Sequence, residues 1–247
     1  MAPVTIITGG TRGIGATTAR RLADSGHDLV LAYRTDESAA QSLQDDIRAR
    51  GVRCRAVRAD VTDAGDVDRL FDQAAEFGPV TGLVNNAGVT ALISDLADRP
   101  VEVVRQVIDV NLVAALLCAR RAIRAMALSR GGRGGAIVNV SSAAATLGSP
   151  HEYVDYAAAK AGVEAMTVGL AKELAPEDIR VNAVAPGIVR TRIHADAGQP
   201  DRPDAAAARI PMGRAGLADE VAPAIAWLLG PEASYTSGAV LRIAGGL

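Results

Sequence analysis

Tyr156 and Lys160 stand four residues apart in a stretch with helical spacing. Residues at i and i+4 share one face of a helix. A tyrosine with its ordinary pKa of about 10 keeps its proton at neutral pH. A neighbouring ammonium favours the phenolate and lowers that value. The phenol could then exchange a proton with a substrate oxygen. Such a pair also occurs as an ordinary surface pair, so other residues must decide. Tyr153 has no lysine four residues on, which leaves Tyr156 as the candidate.

A second chemical signal lies near the start of the chain. An apolar run ends in Thr8, Gly9, Gly10, Thr11, Arg12, Gly13, Ile14 and Gly15, and a helical pattern follows at once. Amides at a helix start are unpaired and carry partial positive charge, so they hold a phosphate. Glycine lets the backbone approach the anion without a Cβ in the way. The spacing is Gly-x-x-x-Gly-x-Gly, not Gly-x-Gly-x-x-Gly, and no Gly-Lys-Ser/Thr follows as in a Walker A loop. The second apolar run ends in Ala32, Tyr33, Arg34 and Thr35, with no carboxylate at its tip to take a ribose hydroxyl. Arg12 and Arg34 are instead placed to meet a 2′-phosphate, which the planar guanidinium can bind with two hydrogen bonds.

The elements that must position these groups follow a strand-helix rhythm. Apolar runs at Val4–Thr8, Asp28–Tyr33, Val52–Ala59, Gly82–Asn85, Ala136–Ser141, Arg180–Ala185 and Ala239–Ile243 are short and mostly not alternating. Strands buried on both faces of a parallel sheet read this way. Helical spacing fills Ile14–Ser25, Ser38–Arg50, Asp63–Phe77, Val101–Ser129, Tyr156–Leu174 and Asp219–Leu229. The pattern predicts an α/β fold, a doubly wound parallel sheet of seven strands with helices on both faces. No repeat or linker interrupts it, so one domain over 1–247 is expected. Arg190–Arg214, with Pro200, Pro203, Pro211, Gly198 and Gly213, is long for a connection and reads as a lid over the site, with a disordered loop as the other reading.

Composition excludes several alternatives. With 49% hydrophobic and 22% charged residues, the chain is neither disordered nor of low complexity. A net charge of −2 favours neither nucleic acid nor an anionic membrane surface. The longest apolar run, Leu112–Ala119, is far short of the ~20 residues of a membrane helix. Cys54 and Cys118 read as buried free thiols in a reducing compartment, and the N-terminus carries no secretory signal, so a cytoplasmic location is expected. The three histidines are scattered, and no metal site is expected.

Further motifs complete the set: Asn86, Ala87 and Gly88 after the fourth strand, Asn111 within the long helix, Ser141 and Ser142 after the fifth, and Pro186 and Gly187 after the sixth. In this order and spacing the chain resembles the short-chain dehydrogenase/reductase family over essentially its whole length. The resemblance implies a Rossmann fold and a nicotinamide dinucleotide held by Gly9, Thr11, Arg12, Gly13, Ile14, Gly15, Arg34, Asp60, Val61, Asn86, Ala87, Gly88, Tyr156, Lys160, Pro186, Gly187, Val189 and Thr191. Asp60 and Val61 would meet the adenine, and a plain helix N-cap is the other reading of Asp60. Basic residues at positions 12 and 34 go with NADP(H) in this family, in preference to NAD. Tyr156 would be the general acid/base, and Lys160 would tune it and bind the ribose. Ser142 would hydrogen-bond the substrate oxygen, and Asn111 would support a water linking Lys160 to solvent. Ser142 is preferred over Ser141, although it stands one residue farther from Tyr156 than is usual. The extra residue falls in Ser149–Asp155.

The expected function is interconversion of a carbonyl and a secondary alcohol, close to 3-oxoacyl-carrier-protein reductases and glucose dehydrogenase-like relatives. An NAD-dependent sugar or polyol dehydrogenase is the alternative, and a non-catalytic dinucleotide sensor is the reading from another class. A small-molecule substrate and a homotetramer are implied, with no nucleic acid or membrane partner. Ala244 stands where the family often has Asp, which weakens the inference about subunit contacts there.

Overall fold

The computed structural model describes residues 2–247. Its strands are β1 Val4–Ile7, β2 Asp28–Tyr33, β3 Cys54–Arg58, β4 Val80–Asn85, β5 Gly135–Val140, β6 Ile179–Pro186 and β7 Val240–Ile243. They form one seven-stranded sheet in the order β3-β2-β1-β4-β5-β6-β7, with every neighbouring pair parallel. All seven expected strands are present, with ends shifted by a residue or two.

The helices are α1 Gly13–Asp24, α2 Glu37–Ala49, α3 Ala64–Ala75, α4 Val101–Ile108, α5 Ala114–Met126, α6 Ala144–Leu147, α7 Val154–Leu174, α8 Arg192–Asp196, α9 Arg202–Ala205 and α10 Ala218–Leu229. Consecutive strand residues feed two separate apolar layers. Leu29 and Leu31 pack with Leu22 of α1, Leu43 and Ile47 of α2, and Ile225 of α10. Val30 and Ala32 join Leu70 and Phe71 of α3, Cys118 and Met126 of α5, and Leu174 of α7. Both sheet faces are covered, and this explains the unbroken apolar runs. Cys54 and Cys118 are buried free thiols. No described helix is long and apolar enough to cross a membrane.

Two expected elements differ from the sequence reading. The long helix expected over Val101–Ser129 is interrupted. A π turn over Asp109–Val113 separates α4 from α5, and α5 ends at Met126. Such widened turns concentrate at functional sites, and Asn111 lies in this one. The Arg190–Arg214 stretch is not structureless either: it carries α8, α9 and a short 3-10 turn at Ala207–Arg209.

The strand order reverses at β1, which lies between β2 and β4. The crevice beyond the carboxyl ends of strands at such a switch point is the ligand site of open α/β sheets. The turns that follow β1, β4, β5 and β6 all open there.

Candidate active site

The turn after β1 is strapped to the end of β4. Thr8 Oγ1 accepts from the amides of Asn86 and Ala87, both at 3.0 Å, and Asn86 Nδ2 donates to the carbonyls of Thr8 and Gly9, both at 2.9 Å. Gly9 and Gly13 adopt positive φ of 57° and 52°, where a side chain would be strained. A Cβ on Gly15 would fall 2.5 Å from the Gly9 carbonyl oxygen and 2.6 Å from Asn86 Nδ2. Gly15 therefore seals the turn from below. Arg12 is the N-cap of α1 and offers no side-chain cap, so the first-turn amides remain available to an anion.

A cavity of about 700 Å³ runs over this turn. Its walls bring together Gly9, Thr11, Arg12, Gly13, Ile14, Arg34, Asp60, Val61, Asn86, Ala87, Gly88, Ser142, Tyr156, Lys160, Pro186, Gly187, Val189 and Thr191. Two expected site residues stand behind the wall: Gly15 under the turn, and Asn111 behind Gly88, where a Cβ would come within 2.9 Å of Asn111 Oδ1.

At one end the arginines are held by carboxylates. Arg12 Nη1 pairs with Asp196 Oδ2 of α8 at 2.8 Å, and Arg34 Nε lies 4.0 Å from Asp60 Oδ2. Asp60 accepts from the amide and hydroxyl of Thr62 at 3.0 and 2.7 Å, and these bonds hold its carboxyl below the usual range. Asp60 is not a helix N-cap; Asp63 fills that place and accepts from the Asp66 amide at 2.8 Å. Sequence reasoning missed Arg192. It lines the same end, with Nη1 at 3.8 Å from Asp36 Oδ2. No motif marks it, because only the path of α8 brings it back over α2.

At the other end lie the candidate reacting groups. α7 begins at Val154, two residues before the expected start, so both Tyr156 and Lys160 are in the helix. Lys160 is buried, its Nζ donates to the Val140 carbonyl at 2.8 Å, and it stands 5.6 Å from the Tyr156 ring centroid. Burial pushes its pKa down to about 8. The expectation that Lys160 lowers the Tyr156 pKa is not met in this arrangement. Burial pushes Tyr156 up, and the pull downward comes from its hydrogen bond with Ser142. At neutral pH the phenol is the proton-bearing form.

The two serines separate cleanly. Ser141 Oγ turns back to α7, donating to Glu164 Oε1 at 2.8 Å and to the Lys160 carbonyl at 3.2 Å. Both serines border the cavity, but it is Ser142 that hydrogen-bonds Tyr156. Asn111 Nδ2 donates to the carbonyls of Val107 and Val89, both at 2.8 Å, and its Oδ1 accepts from the Val89 amide at 3.2 Å. It ties the π turn to the chain leaving β4.

Within Ser149–Asp155, Ser149 and His151 take positive φ of 45° and 61°. His151 turns outward to Asp95 at 2.7 Å and does not line the cavity, whereas His194 does. Glu152 and Tyr153 lie in the Ser149–Asp155 loop marked from sequence, whereas sequence reasoning missed Arg99 and Arg202. Arg99, buried, donates to the Leu92 and Glu152 carbonyls at 3.0 and 2.7 Å. Tyr153 lines the cavity, as do Glu152 and Arg202, which pair at 2.5 Å. Arg99–Glu152, Glu152–Arg202 and Tyr153–Arg202 each join positions about fifty apart in sequence, beyond any local pattern. No three His, Cys, Asp or Glu side chains cluster as a metal site among the described residues.

A family model described as enoyl-(acyl carrier protein) reductase matches residues 9–247. The uncharacterized oxidoreductase YgfF of Escherichia coli is 44% identical over 98% of this chain and 99% of its own. The 3beta-hydroxysteroid dehydrogenase 1 of Eggerthella lenta is 42% identical over 98% and 92%, and the cis-4-hydroxycyclohexanecarboxylate dehydrogenase of Sinomonas cyclohexanicum 41% over 98% and 95%. A solved short-chain dehydrogenase from Burkholderia cenocepacia in complex with NADP superposes with a TM-score of 0.91 at 35% identity, over 99% of this chain and 97% of that one. With its parallel sheet, strapped glycine turn and Ser142–Tyr156–Lys160 grouping, the chain belongs to the short-chain dehydrogenase/reductase family of oxidoreductases.

Proposed function

We propose that this protein is an NADP(H)-dependent oxidoreductase that interconverts a carbonyl and a secondary alcohol, with Tyr156 as general acid/base. The observation that carries the reading is the grouping of Ser142, Tyr156 and Lys160 on the wall of a cavity whose far end presents Arg12 and Arg34. The residues fit a dinucleotide. Gly15 leaves no room for a Cβ, Gly9 holds a positive φ, α1 opens without a side-chain cap, and the volume of about 700 Å³ lies within the range of ligand pockets. Arg12, Arg34 and Arg192 would hold the 2′-phosphate, and Asp60 and Val61 the adenine.

When bound, the nicotinamide supplies or accepts the hydride. The protein's own side chains handle the proton. In reduction, Tyr156 Oη gives its proton to the carbonyl oxygen as that oxygen gains negative charge; in oxidation it takes the proton back. With its pKa raised by burial, Tyr156 carries the proton that reduction needs but gives it up less readily than a free phenol. Ser142 donates to the same oxygen and steadies its charge. Lys160, fixed by the Val140 carbonyl, would bind the ribose hydroxyls and return a proton to Tyr156. Asn111, tied to Val107 of α4 and to Val89 after β4, would hold a water between Lys160 and solvent. The Arg190–Arg214 segment would act as the lid.

The relatives named for a hydroxysteroid and a hydroxycyclohexanecarboxylate both act on alicyclic alcohols, and this supports a secondary alcohol on an apolar frame as the substrate class. NAD-dependent sugar or polyol oxidation is the second reading, favoured by the engagement of Arg12 with Asp196. A homotetramer is proposed on the exposed Leu116 of α5 and Val168 of α7, with Val240 and Leu241 on the edge strand β7. A cytoplasmic location goes with the two free thiols. Side-by-side nicotinamide fluorescence titrations test the cofactor. Tighter NADPH than NADH is expected, and the reverse would move the assignment to the second reading.

A further inference from the structure

The lid segment and the Ser149–Asp155 loop meet over a charge cluster that hydride and proton transfer do not use. Glu152 Oε2 accepts from Arg202 at 2.5 Å, and Arg209 Nη2 stands 3.7 Å from Glu152 Oε1. Two guanidiniums converge on one carboxylate. All three residues line the cavity, and Glu152 is the one carboxylate side chain that residues 143–153 and 188–210 bring to its wall. Leu147, Pro150, Ile188, Ile193 and Ile210 give this side an apolar surface, broken by Ser149, Thr191 and a third arginine, Arg192.

The cluster also has a fixed relation to the reacting end. The Arg202 guanidinium lies 5.0 Å from the Tyr153 ring centroid, and that ring stands 6.4 Å from the ring of Tyr156. One aromatic ring therefore spaces the cation from the proton donor. His194, on the same wall, is held below its ordinary pKa by burial and by the Arg202 charge. Arg209, exposed and 3.7 Å from the carboxylate that Arg202 already holds at 2.5 Å, keeps donors for a second anion. A carboxylate presented from the cavity would meet the planar fork it matches.

We propose that Arg202 and Arg209 form a carboxylate-binding subsite, and that the substrate is a keto acid or hydroxy acid whose apolar, ring-sized body separates the reacting carbon from its carboxylate. The inference rests on the carbonyl–alcohol reading above and narrows its substrate class. Reduction balances as before: hydride goes from NADPH to the carbonyl carbon, the Tyr156 proton goes to its oxygen, and the substrate carboxylate takes no part. Arg209 is exposed and is the safer residue to change.

The test has two arms. In calorimetry on the NADP-loaded protein, cyclohexanecarboxylate is compared with uncharged cyclohexylmethanol, for the wild type and for Arg209→Gln. The wild type is expected to prefer the carboxylate, and the variant to lose about tenfold in affinity for it alone, the order of one charge-assisted hydrogen bond. In kinetics, 4-oxocyclohexanecarboxylate is compared with its methyl ester. The acid should have the higher kcat/KM in the wild type, and the variant should raise KM for the acid while leaving the ester unchanged. Equal binding of acid and alcohol by the wild type, or an equal loss of both in the variant, overturns the subsite. Carboxylate binding that depends on Arg209, without turnover of either ketone, supports the subsite and sinks only the carbonyl reading.

Discussion

Arg99 and Asp155 form an ion pair at 3.4 Å with side chains only 2% and 1% exposed, and the other oxygen of Asp155 accepts the amide of Tyr156 at 2.9 Å. Arg99 also donates to carbonyls on both sides of the site, at Leu92 and Glu152. The pair thus joins the chain after β4 to the residue that starts the Tyr156 turn of α7. Removing one partner leaves the other charge buried and unpaired, which costs about 3–5 kcal/mol.

Arg99→Met should therefore lower the thermal midpoint by roughly 10 °C, given about 2–4 °C per kcal/mol for a chain of this size. The double variant with Asp155→Leu should recover part of the loss, since it removes both charges. Thermal unfolding of the two singles and the double closes the cycle. A single-variant loss below about 1 kcal/mol would mean that solvent reaches the pair.

Lys160 carries a pH signature. Its pKa is pushed down to about 8 by burial, from an unfolded value of 10.5. Between those values the unfolded chain binds the proton more tightly, so stability rises with pH across that window. Below about pH 8 the cost of burying the ammonium is fully present. Relative to Lys160→Met, the wild type should gain on the order of 3 kcal/mol from pH 8 to 10.5, an upper bound set by 1.36 kcal/mol per unit. Denaturant titrations of both proteins at several pH values read the difference. A flat difference would place Lys160 in contact with water.

The pairing of Arg12 with Asp196 predicts a competition. A 2′-phosphate must displace the Asp196 carboxylate to reach Arg12. Asp196→Asn should tighten NADPH several-fold and leave NADH unchanged, whereas Arg12→Gln should weaken NADPH by about tenfold or more, the scale of a charge-assisted hydrogen bond. Parallel titrations of both nucleotides with both variants decide it. Equal effects on NADPH and NADH would turn Arg12 away from the 2′-phosphate.

Much of this site was legible because its signals are local. The glycine turn, the Tyr156–Lys160 spacing and the apolar runs each follow from a few adjacent residues. Ser141, bonded back to α7, and Ser142, bonded to Tyr156, differ in a way that adjacent positions in sequence do not reveal. What escaped depends on chain path. The π turn at Asn111 replaces regular helix inside a segment whose apolar spacing is continuous. Arg99, Arg192 and Arg202 gain their meaning from partners on other elements. The Tyr156 pKa escaped for another reason: spacing gives proximity to Lys160, but burial and the Ser142 hydrogen bond set the balance. Asp60 was decided by Asp63, which takes the α3 cap three residues later.

The central claim is that Tyr156 moves the proton while other residues hold the cofactor. The most direct measurement is carbonyl-dependent NADPH oxidation by Tyr156→Phe, with NADPH affinity measured on the same preparation. The account predicts turnover lower by about 10²–10⁴-fold, the range for removal of a general acid, with NADPH affinity nearly unchanged. Turnover equal to that of the wild type would contradict it.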